Sequence, residues 1–251
     1  MSFKRVFAAM SGGVDSAAAA LLLRRAGYDV TGVTLRLHAY KDRPGLCGSA
    51  DDIETARAVS AAMGIPHQVL DLSGLFCTAV MDHFVEEYVH GRTPNPCIDC
   101  NREIKFGALL DWALEQGADA IATGHYARVR YDEERGRWLL LRGRDRRKDQ
   151  SYVLYQLTQR QLSHLLLPVG DYEKPDIRAL AAEEGLENAE KADSQDICFV
   201  PDGDYVGFLQ RYGGVTPVPG DFVDQEGHVL GRHRGLECYT TGQRKGLGVA
   251  A

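Results

Sequence analysis

The feature that most constrains this chain is a glycine-rich loop between a predicted strand and a predicted helix at its start. Arg5–Ala9 is an apolar run typical of a buried strand, and Ser16–Ala26 has a helical pattern that ends at Gly27. The linking residues read Ser-Gly-Gly-Val-Asp-Ser. Such a loop directs backbone N–H groups and the positive end of the helix dipole towards one point. The pattern therefore predicts an anion site in an α/β fold.

The residue types inside the loop favour a phosphate. Gly12 and Gly13 lack the Cβ atoms that would obstruct it, and Ser11 and Ser16 can donate hydrogen bonds. Asp15 is placed where it could hold a Mg²⁺ ion that bridges phosphate oxygens. The loop lacks the lysine of the GxxxxGK[ST] pattern, which argues against a γ-phosphate-cleaving enzyme of that type. A tight turn in which serine and aspartate only cap the helix is the alternative interpretation.

Strands and helices alternate over the next hundred residues, which predicts βαβ units around a parallel sheet. The predicted strands after the first are Val30–Leu35, His67–Leu72 and Ala118–Thr123. The predicted helices between them are Asp51–Met63, Cys77–Val89 and Asn101–Gln116, with a loop at Gly91–Asp99. We therefore expect an α/β fold with helices on both faces of the sheet.

The pattern then changes. Tyr126–Tyr131 and Arg137–Leu141 flank a polar turn and predict an antiparallel hairpin, and Arg142–Lys148 follows with five basic residues in seven. Helical patterns come next, at Ser151–His164, Lys174–Glu184 and Asp204–Tyr212, and after them short strands at Asp221–Val223 and His228–Gly231. We expect a first domain over residues 1–205 and the start of a small β-rich domain over 206–251.

Composition narrows the class of protein. The 251 residues include 44% hydrophobic and 25% charged residues, as in an ordinary globular protein. The formal charge of −6 argues against a general polyanion binder, although it leaves room for a local basic surface such as Arg142–Lys148. A solvated loop is the alternative for that run. Because the apolar run Ala17–Leu23 is too short for a membrane span and follows no signal pattern, we expect a cytoplasmic protein without a membrane partner.

The cysteines are more consistent with buried, catalytic or metal-bound thiols than with a disulfide framework. Cys97 and Cys100 have CxxC spacing. Cys100 directly precedes the predicted helix at Asn101, with two basic residues close by, and a helix N-terminus and cations stabilise a thiolate. Cys198 lies in a segment without periodicity, where reactive groups are often placed. For each cysteine alone, a small buried hydrophobic residue is the competing interpretation.

Several motifs, taken together, resemble one family. The loop Ser11–Ser16 is similar to that of the PP-loop ATP pyrophosphatases, which cleave ATP between the α and β phosphates. Four later segments read TPNPCIDCNREIKF, ATGHY, KDQSY and GQRKGLG, and they begin at Thr93, Ala122, Lys148 and Gly242. In this order the motifs resemble the tRNA-specific 2-thiouridylases over the whole chain. The resemblance implies a Rossmann-like PP-loop domain.

The resemblance also implies a reaction and its residues. Such an enzyme uses ATP and Mg²⁺ to adenylate O2 of the tRNA wobble uridine, then replaces that oxygen with sulfur received from a persulfide-donating carrier protein. The position of Cys198 would carry the persulfide, and that of Cys100 would be the partner nucleophile in a transient disulfide. The implied ATP contacts are Ala9, Met10, Ser11, Gly12, Gly13, Val14, Asp15, Ser16, Leu35 and Gly124. The implied tRNA contacts are Asn95, Pro96, Cys97, His125, Lys148, Asp149 and Gln150.

One position departs from the family pattern. Cys97 stands where an aspartate is expected, and a thiol is a poorer acid or base at neutral pH. Cys97, Cys100 and Cys198 could instead provide three thiolates to a [4Fe-4S] cluster, which related thiolation enzymes are proposed to use. An extruded base also needs a planar partner, for which Tyr126 and Tyr152 are candidates.

Two other function classes remain open, and the resemblance raises a question of length. A PP-loop amidotransferase or synthetase would adenylate a small carboxylate and would need no cysteine pair. A nucleotide or Fe-S sensing module would keep the fold without the chemistry. Because the family's second domain continues and a further β-barrel follows, the chain is expected to be a truncated form with weakened tRNA binding.

Overall fold

A five-stranded parallel sheet organises the first domain. The computed structural model describes residues 4–37, 49–191 and 197–249. The strand order is β3-β2-β1-β4-β7, with β1 at the centre. These strands are β1 Arg5–Ala9, β2 Asp29–Arg36, β3 His67–Asp71, β4 Ala120–Ala122 and β7 Leu165–Leu166. The predicted α/β fold is confirmed.

Helices cover both faces of this sheet, as the alternating side chains of β1 require. Val6 and Ala8 point into one buried cluster and Phe7 into another. Helices on the Val6 face are α1 Val14–Arg25, α2 Ala50–Ala62 and α8 Lys174–Glu183. Helices on the Phe7 face include α4 His83–Val89, α6 Leu109–Glu115 and α9 Tyr205–Gly213.

Two helices on the Phe7 face contain π-helical turns. The first runs without a break through α3 Ser73–Phe76, the π-helical segment Cys77–Asp82 and α4. The second runs through α5 Pro96–Asp99, the π-helical segment Cys100–Ala108 and α6. π-helical turns occur frequently at functional sites, and here the second one begins at a cysteine.

The predicted hairpin is confirmed as β5 Ala127–Asp132 and β6 Arg137–Arg142, paired antiparallel. After the first domain, β8 Gly220–Val223 and β9 Val229–His233 form a second antiparallel pair. Among the described residues, no helix has the length and apolar character that a membrane crossing requires.

The helix predicted over Ser151–His164 is wrong. Ser151–Val153 is a single 3-10 turn, and α7 Gln159–Ser163 starts separately. The Thr158 side chain accepts a hydrogen bond from the Gln161 backbone N–H and so caps a new helix. Leu165 and Leu166, which follow the C-cap residue His164, pair with β4 as the fifth strand of the sheet, which is too short to leave a periodic signal.

Candidate nucleotide and thiol site

Three strands end at one edge of the sheet, where the predicted ATP residues collect. The strands β1, β2 and β4 are parallel neighbours, so their carboxyl ends share that edge. Ala9 ends β1 and leads into Met10 and the glycine-rich loop. Leu35 is buried near the end of β2, and Gly124 follows β4. The carboxyl edge of a parallel sheet is the usual place for ligands in α/β proteins.

Two glycines are required by close backbone contacts at this edge. Gly12 has a φ of +75°, and a Cβ there would lie 2.9 Å from the Asp52 carbonyl oxygen. A Cβ at Gly124 would lie 2.6 Å from the backbone carbon of Asp15. At Gly13 the nearest atom would be the Ser11 Oγ at 3.5 Å, an ordinary contact. The loop therefore depends sterically on Gly12 and Gly124, and Gly13 is left to its proposed ligand-facing role.

The serines close the loop on itself. Ser16 Oγ donates to the Gly13 carbonyl oxygen at 2.8 Å and accepts from the Ser11 backbone N–H at 3.1 Å. The residue at the N-cap of α1, which begins at Val14, is Gly13, and no side chain caps that helix end. The capping interpretation of this loop is therefore not supported. The first turn of α1 therefore has no side-chain cap over its N–H groups, as an anion site at a helix N-terminus requires.

Asp15 lies in a partly buried ion pair that the sequence did not reveal. Lys174 Nζ lies 2.7 Å from both Asp15 carboxylate oxygens, and the Tyr126 hydroxyl donates to Oδ1 at 2.7 Å. The Lys174 side chain is only 9% exposed. A carboxylate offers about four lone-pair sites, so one remains for a cation such as Mg²⁺. No sequence signal could identify Lys174, because it is 159 residues away along the chain.

A second group of polar side chains contacts the backbone of the loop at Gly12. Asn188 Nδ2 and Lys191 Nζ donate to the Gly12 carbonyl oxygen at 3.2 and 3.4 Å. Lys191 Nζ also pairs with Asp52 Oδ1 at 2.7 Å. The buried Asn188 Oδ1 has no hydrogen-bond partner within the described ranges. Two lysines thus border the loop, and neither was among the predicted site residues.

His125 joins the nucleotide edge to the helix that carries the cysteines. Its Nδ1 shares a 2.7 Å hydrogen bond with Thr123 Oγ1, and its ring centroid lies 5.9 Å from that of Phe106. Burial, and secondarily the charge of Lys105, hold the pKa of His125 well below its usual value. His125 is therefore neutral at physiological pH.

The helix that carries Cys100 begins one turn earlier than the sequence predicted. It starts at Pro96 within the predicted loop Gly91–Asp99, and the Asn95 side chain caps it by accepting from the Cys97 backbone N–H at 3.1 Å. Cys97 is exposed in this first turn, whereas Cys100 is buried one turn further in. The expectation that Cys100 marks the helix N-terminus is wrong, because the proline–cap combination places the start before Cys97. The helix dipole acts more strongly on Cys97.

Asp99 is a buried carboxylate next to Cys100. It lies 3.1 Å from an Arg102 guanidinium nitrogen and 3.2 Å from His83 Nδ1. Its side chain is 10% exposed. Arg102 follows Asp99 by three residues on the same helix, a spacing that can be read from the sequence. The contact of Asp99 with His83, which lies on another helix, cannot be read from it.

Cys198 shares a hydrophobic cluster with Cys100. Cys198 is half-buried and packs against the cluster that contains Cys100. Its neighbour Phe199 contacts Phe84 and Phe76, with ring centroids 5.3 and 5.9 Å apart. Cys77, Cys97 and Cys238 are free thiols, and Cys47 lies outside the described residues. The fold therefore gathers the two predicted reactive thiols around one core.

The predicted tRNA contacts after the hairpin, Lys148, Asp149 and Gln150, make hydrogen bonds within the protein. Asp149 Oδ1 accepts from the Gly143 N–H at 2.9 Å, and Gln150 Oε1 accepts from the Tyr126 N–H at 3.0 Å. The Lys148 backbone N–H donates to Asp145 Oδ1 at 3.3 Å. Tyr126 itself is 2% exposed, so its expected role as a stacking partner is wrong; its ring is enclosed by the contacts that hold Asp15. Tyr152 is exposed.

Comparisons with known proteins agree with this architecture. Residues 4–202 match the family model described as "tRNA methyl transferase HUP domain", and residues 206–251 match the "tRNA methyl transferase PRC-barrel domain". A protein of Moorella thermoacetica named tRNA-specific 2-thiouridylase MnmA is 55% identical over 96% of the chain and 69% of its own length. The chain belongs to the tRNA-specific 2-thiouridylase family. It is an enzyme of that family, whose curated name describes thiolation although the family model's description mentions methyl transfer.

Two further comparisons show how much of the chain aligns with a second relative and which solved structure shares its fold. The 2-thiouridylase of Clostridium acetobutylicum is 51% identical over 98% of the chain and 70% of its own length. The crystal structure of a 4-thiouridine synthetase–RNA complex with bound ATP aligns with a TM-score of 0.51 at 19% identity, over 83% of this chain and 50% of that one. At this identity the likeness shows a shared fold. The chain thus has the HUP domain of a 2-thiouridylase, followed by residues that match a PRC-barrel domain.

Proposed function

We propose that the chain uses ATP to adenylate O2 of the tRNA wobble uridine and then exchanges that oxygen for sulfur. This proposal rests on one observation: the glycine-rich loop and the helix with Cys100 come together at Gly124 and His125. The glycine-rich loop packs on Gly124, and the helix with Cys100 contacts His125 through Phe106. A nucleotide bound at the loop would therefore be next to the thiol-bearing helix. The names of the relatives and of the RNA-bound structural neighbour support the same substrate.

The loop supplies the adenylation half of the reaction. The open first turn of α1 binds the phosphates, Gly12 and Gly124 allow the close backbone contacts that shape the loop, and Gly13 leaves room for the phosphates. Uridine O2 attacks the α-phosphorus and pyrophosphate leaves. Asp15 would hold Mg²⁺, which supplies charge neutralisation of the phosphates when bound. Lys174 fixes the Asp15 carboxylate in the orientation that this role needs.

The cysteines supply the sulfur half. Cys198 carries a persulfide delivered by a carrier protein. The Cys100 thiolate attacks the Sγ of Cys198, so that a Cys100–Cys198 disulfide forms and hydrosulfide leaves. Hydrosulfide attacks C2 of the activated uridine and AMP departs. A thiol reductant restores both cysteines. Cys100 belongs to the hydrophobic cluster against which Cys198 packs, so both cysteines lie on the same face of the sheet.

The chain also has thiols for the second cofactor that the sequence suggests. Cys97 and Cys100 are three residues apart on one helix and so lie on the same side of it. Together with Cys198 they would hold a [4Fe-4S] cluster by three thiolates, and such a cluster supplies an iron that binds sulfide. In this second arrangement Cys97, which is exposed, is a ligand.

The proposed function is tested by incubating the chain with unmodified tRNA, ATP, Mg²⁺ and a low-molecular-weight persulfide. Mass spectrometry of the digested tRNA should show 2-thiouridine, with AMP and pyrophosphate formed alongside. AMP formation that depends on a small carboxylate instead of tRNA would favour the amide-forming alternative. Iron and acid-labile sulfide measured on anaerobically purified protein decide the role of Cys97.

A further inference from the structure

Two tyrosines stand exposed on the short segment that follows the basic run Arg142–Lys148. Tyr152 is 61% exposed within the 3-10 turn Ser151–Val153, and Tyr155 is 64% exposed three residues later. Large aromatic side chains dominate the energetics of interfaces when they become covered. We call Tyr152 and Tyr155 the tyrosine pair.

The segment that carries the tyrosine pair is fixed to the helix turn that follows Cys100. Asn101 Nδ2 donates to the Val153 carbonyl oxygen at 3.1 Å in a buried contact. Arg102 donates to Gln156 Oε1 at 2.6 Å, and Gln156 Nε2 in turn donates to the Tyr155 hydroxyl at 2.9 Å. The first two of these bonds come from Asn101 and Arg102, the two residues directly after Cys100. The segment with the tyrosine pair is therefore held against the helix turn that follows Cys100.

The charge near the tyrosine pair indicates which class of ligand the pair would bind. The basic run lies immediately before it in the chain, whereas the nearby Arg102 guanidinium is already paired with Asp99 and Glu103. Single-stranded RNA is bound by such a combination, in which cations contact phosphates while aromatic rings stack on unpaired bases. The loop of a tRNA anticodon offers unpaired bases on both sides of the wobble position.

We propose that Tyr152 and Tyr155 form a stacking platform for the unpaired bases next to the target uridine. This inference rests on the proposed tRNA substrate and adds how the loop is held while one base enters the site. The hydroxyl of Tyr155 orients the ring through Gln156 and Arg102, and the ring face does the binding.

The test measures binding of a synthetic anticodon stem–loop RNA to the chain by fluorescence anisotropy. Tyr152→Ala and Tyr155→Ala should each weaken binding about tenfold, as expected for loss of one base–aromatic stack. Tyr152→Phe should bind as the parent does. A blunt duplex with the same stem sequence should bind the parent and both alanine variants equally.

Tyr131→Ala is the matched control, because Tyr131 is also exposed but packs on Trp138 in the hairpin. It should leave stem–loop binding unchanged. Equal stem–loop affinity of the parent and a Tyr152→Ala/Tyr155→Ala double variant would overturn the platform, even if the parent makes 2-thiouridine. A loss of stem–loop affinity in that variant would support the platform even if the parent makes no 2-thiouridine, in which case only the proposed reaction would fail.

Discussion

The nucleotide loop and the cysteine helix are built in contrasting ways. Around the loop, Gly12 and Gly124 are in backbone contact with their neighbours, and Asp15 has a buried lysine partner. At the cysteine helix, Cys97 is exposed in the first turn and its backbone N–H is capped by the Asn95 side chain. The first region is defined by the backbone and the second by side-chain chemistry.

This difference matches what each region is proposed to do. Phosphate binding needs N–H groups at fixed positions, so any displacement of the backbone is costly. Sulfur transfer needs thiols that a donor protein and a tRNA can reach. We therefore expect substitutions at the loop to remove nucleotide binding and stability together, and substitutions of the cysteines to remove thiolation alone.

The largest expected effect comes from the thiols. Cys198→Ser and Cys100→Ser should each lower the rate of 2-thiouridine formation by about 10³-fold or more, because each removes a sulfur nucleophile. A first turnover of tRNA-dependent pyrophosphate release should remain, since adenylation precedes sulfur transfer. The half-buried Cys77 provides the control Cys77→Ser, which should retain both activities. If Cys198→Ser formed 2-thiouridine at the parent rate, the proposed role of the cysteine helix in sulfur transfer would be contradicted.

Gly124→Ala tests the backbone-defined region. The new Cβ would lie 2.6 Å from backbone atoms of both Asp15 and Ser16, which cannot move aside independently. We expect ATP affinity to fall about 100-fold and unfolding free energy to fall by about 1–3 kcal/mol. Gly74→Ala is the control, because its Cβ would meet open space and its φ is ordinary. Unchanged ATP affinity in Gly124→Ala, measured by calorimetry, would contradict the proposed nucleotide site.

Lys174→Met tests whether the partly buried ion pair stabilises the loop. Removing one partner of a buried pair costs about 3–5 kcal/mol, and because the Asp15 side chain is 29% exposed we expect about 2 kcal/mol. Lys191→Met, which breaks the more exposed pair with Asp52, should cost less than about 1 kcal/mol. Chemical denaturation measures both. Adding Asp15→Asn to Lys174→Met should recover part of the loss; no recovery would mean that Lys174 acts through packing.

The smallest expected effect is the pH dependence from His125, at the boundary of the two regions. Its pKa is lower in the folded state than the usual 6.5, so below that pH the unfolded chain binds more protons. Stability should therefore fall as the pH decreases from about 6.5, by at most about 1.4 kcal/mol per unit for this group. His67 has the same direction because burial lowers its pKa. His125→Gln should reduce the slope between pH 6.5 and 5; an identical slope would contradict its buried neutral state.

The sequence predicted the elements of the fold that have strong local patterns. The loop at Ser11–Ser16, the hairpin after Tyr126 and four of the five parallel strands follow from apolar runs and turn residues. The two-residue strand Leu165–Leu166 and the early helix start at Pro96 do not, because the first depends on pairing with β4 and the second on a single side-chain cap.

The site was predictable only where motifs are contiguous. The ATP loop and the thiols could be named from the sequence, and the domain division at residue 205 and all site roles stay predictions. The partners that hold them could not be named. Lys174, Asn188 and Lys191 reach Asp15 or Gly12 from more than 150 residues away, and no local pattern encodes that contact.

The central claim is that uridine O2 becomes the leaving oxygen through adenylation. The most direct measurement uses tRNA whose wobble uridine carries ¹⁸O at O2, incubated with the chain, ATP, Mg²⁺ and the persulfide. The account predicts that AMP acquires one ¹⁸O for each 2-thiouridine formed, because the P–O bond made in adenylation stays intact when C2 is attacked. Formation of 2-thiouridine with unlabelled AMP would contradict it.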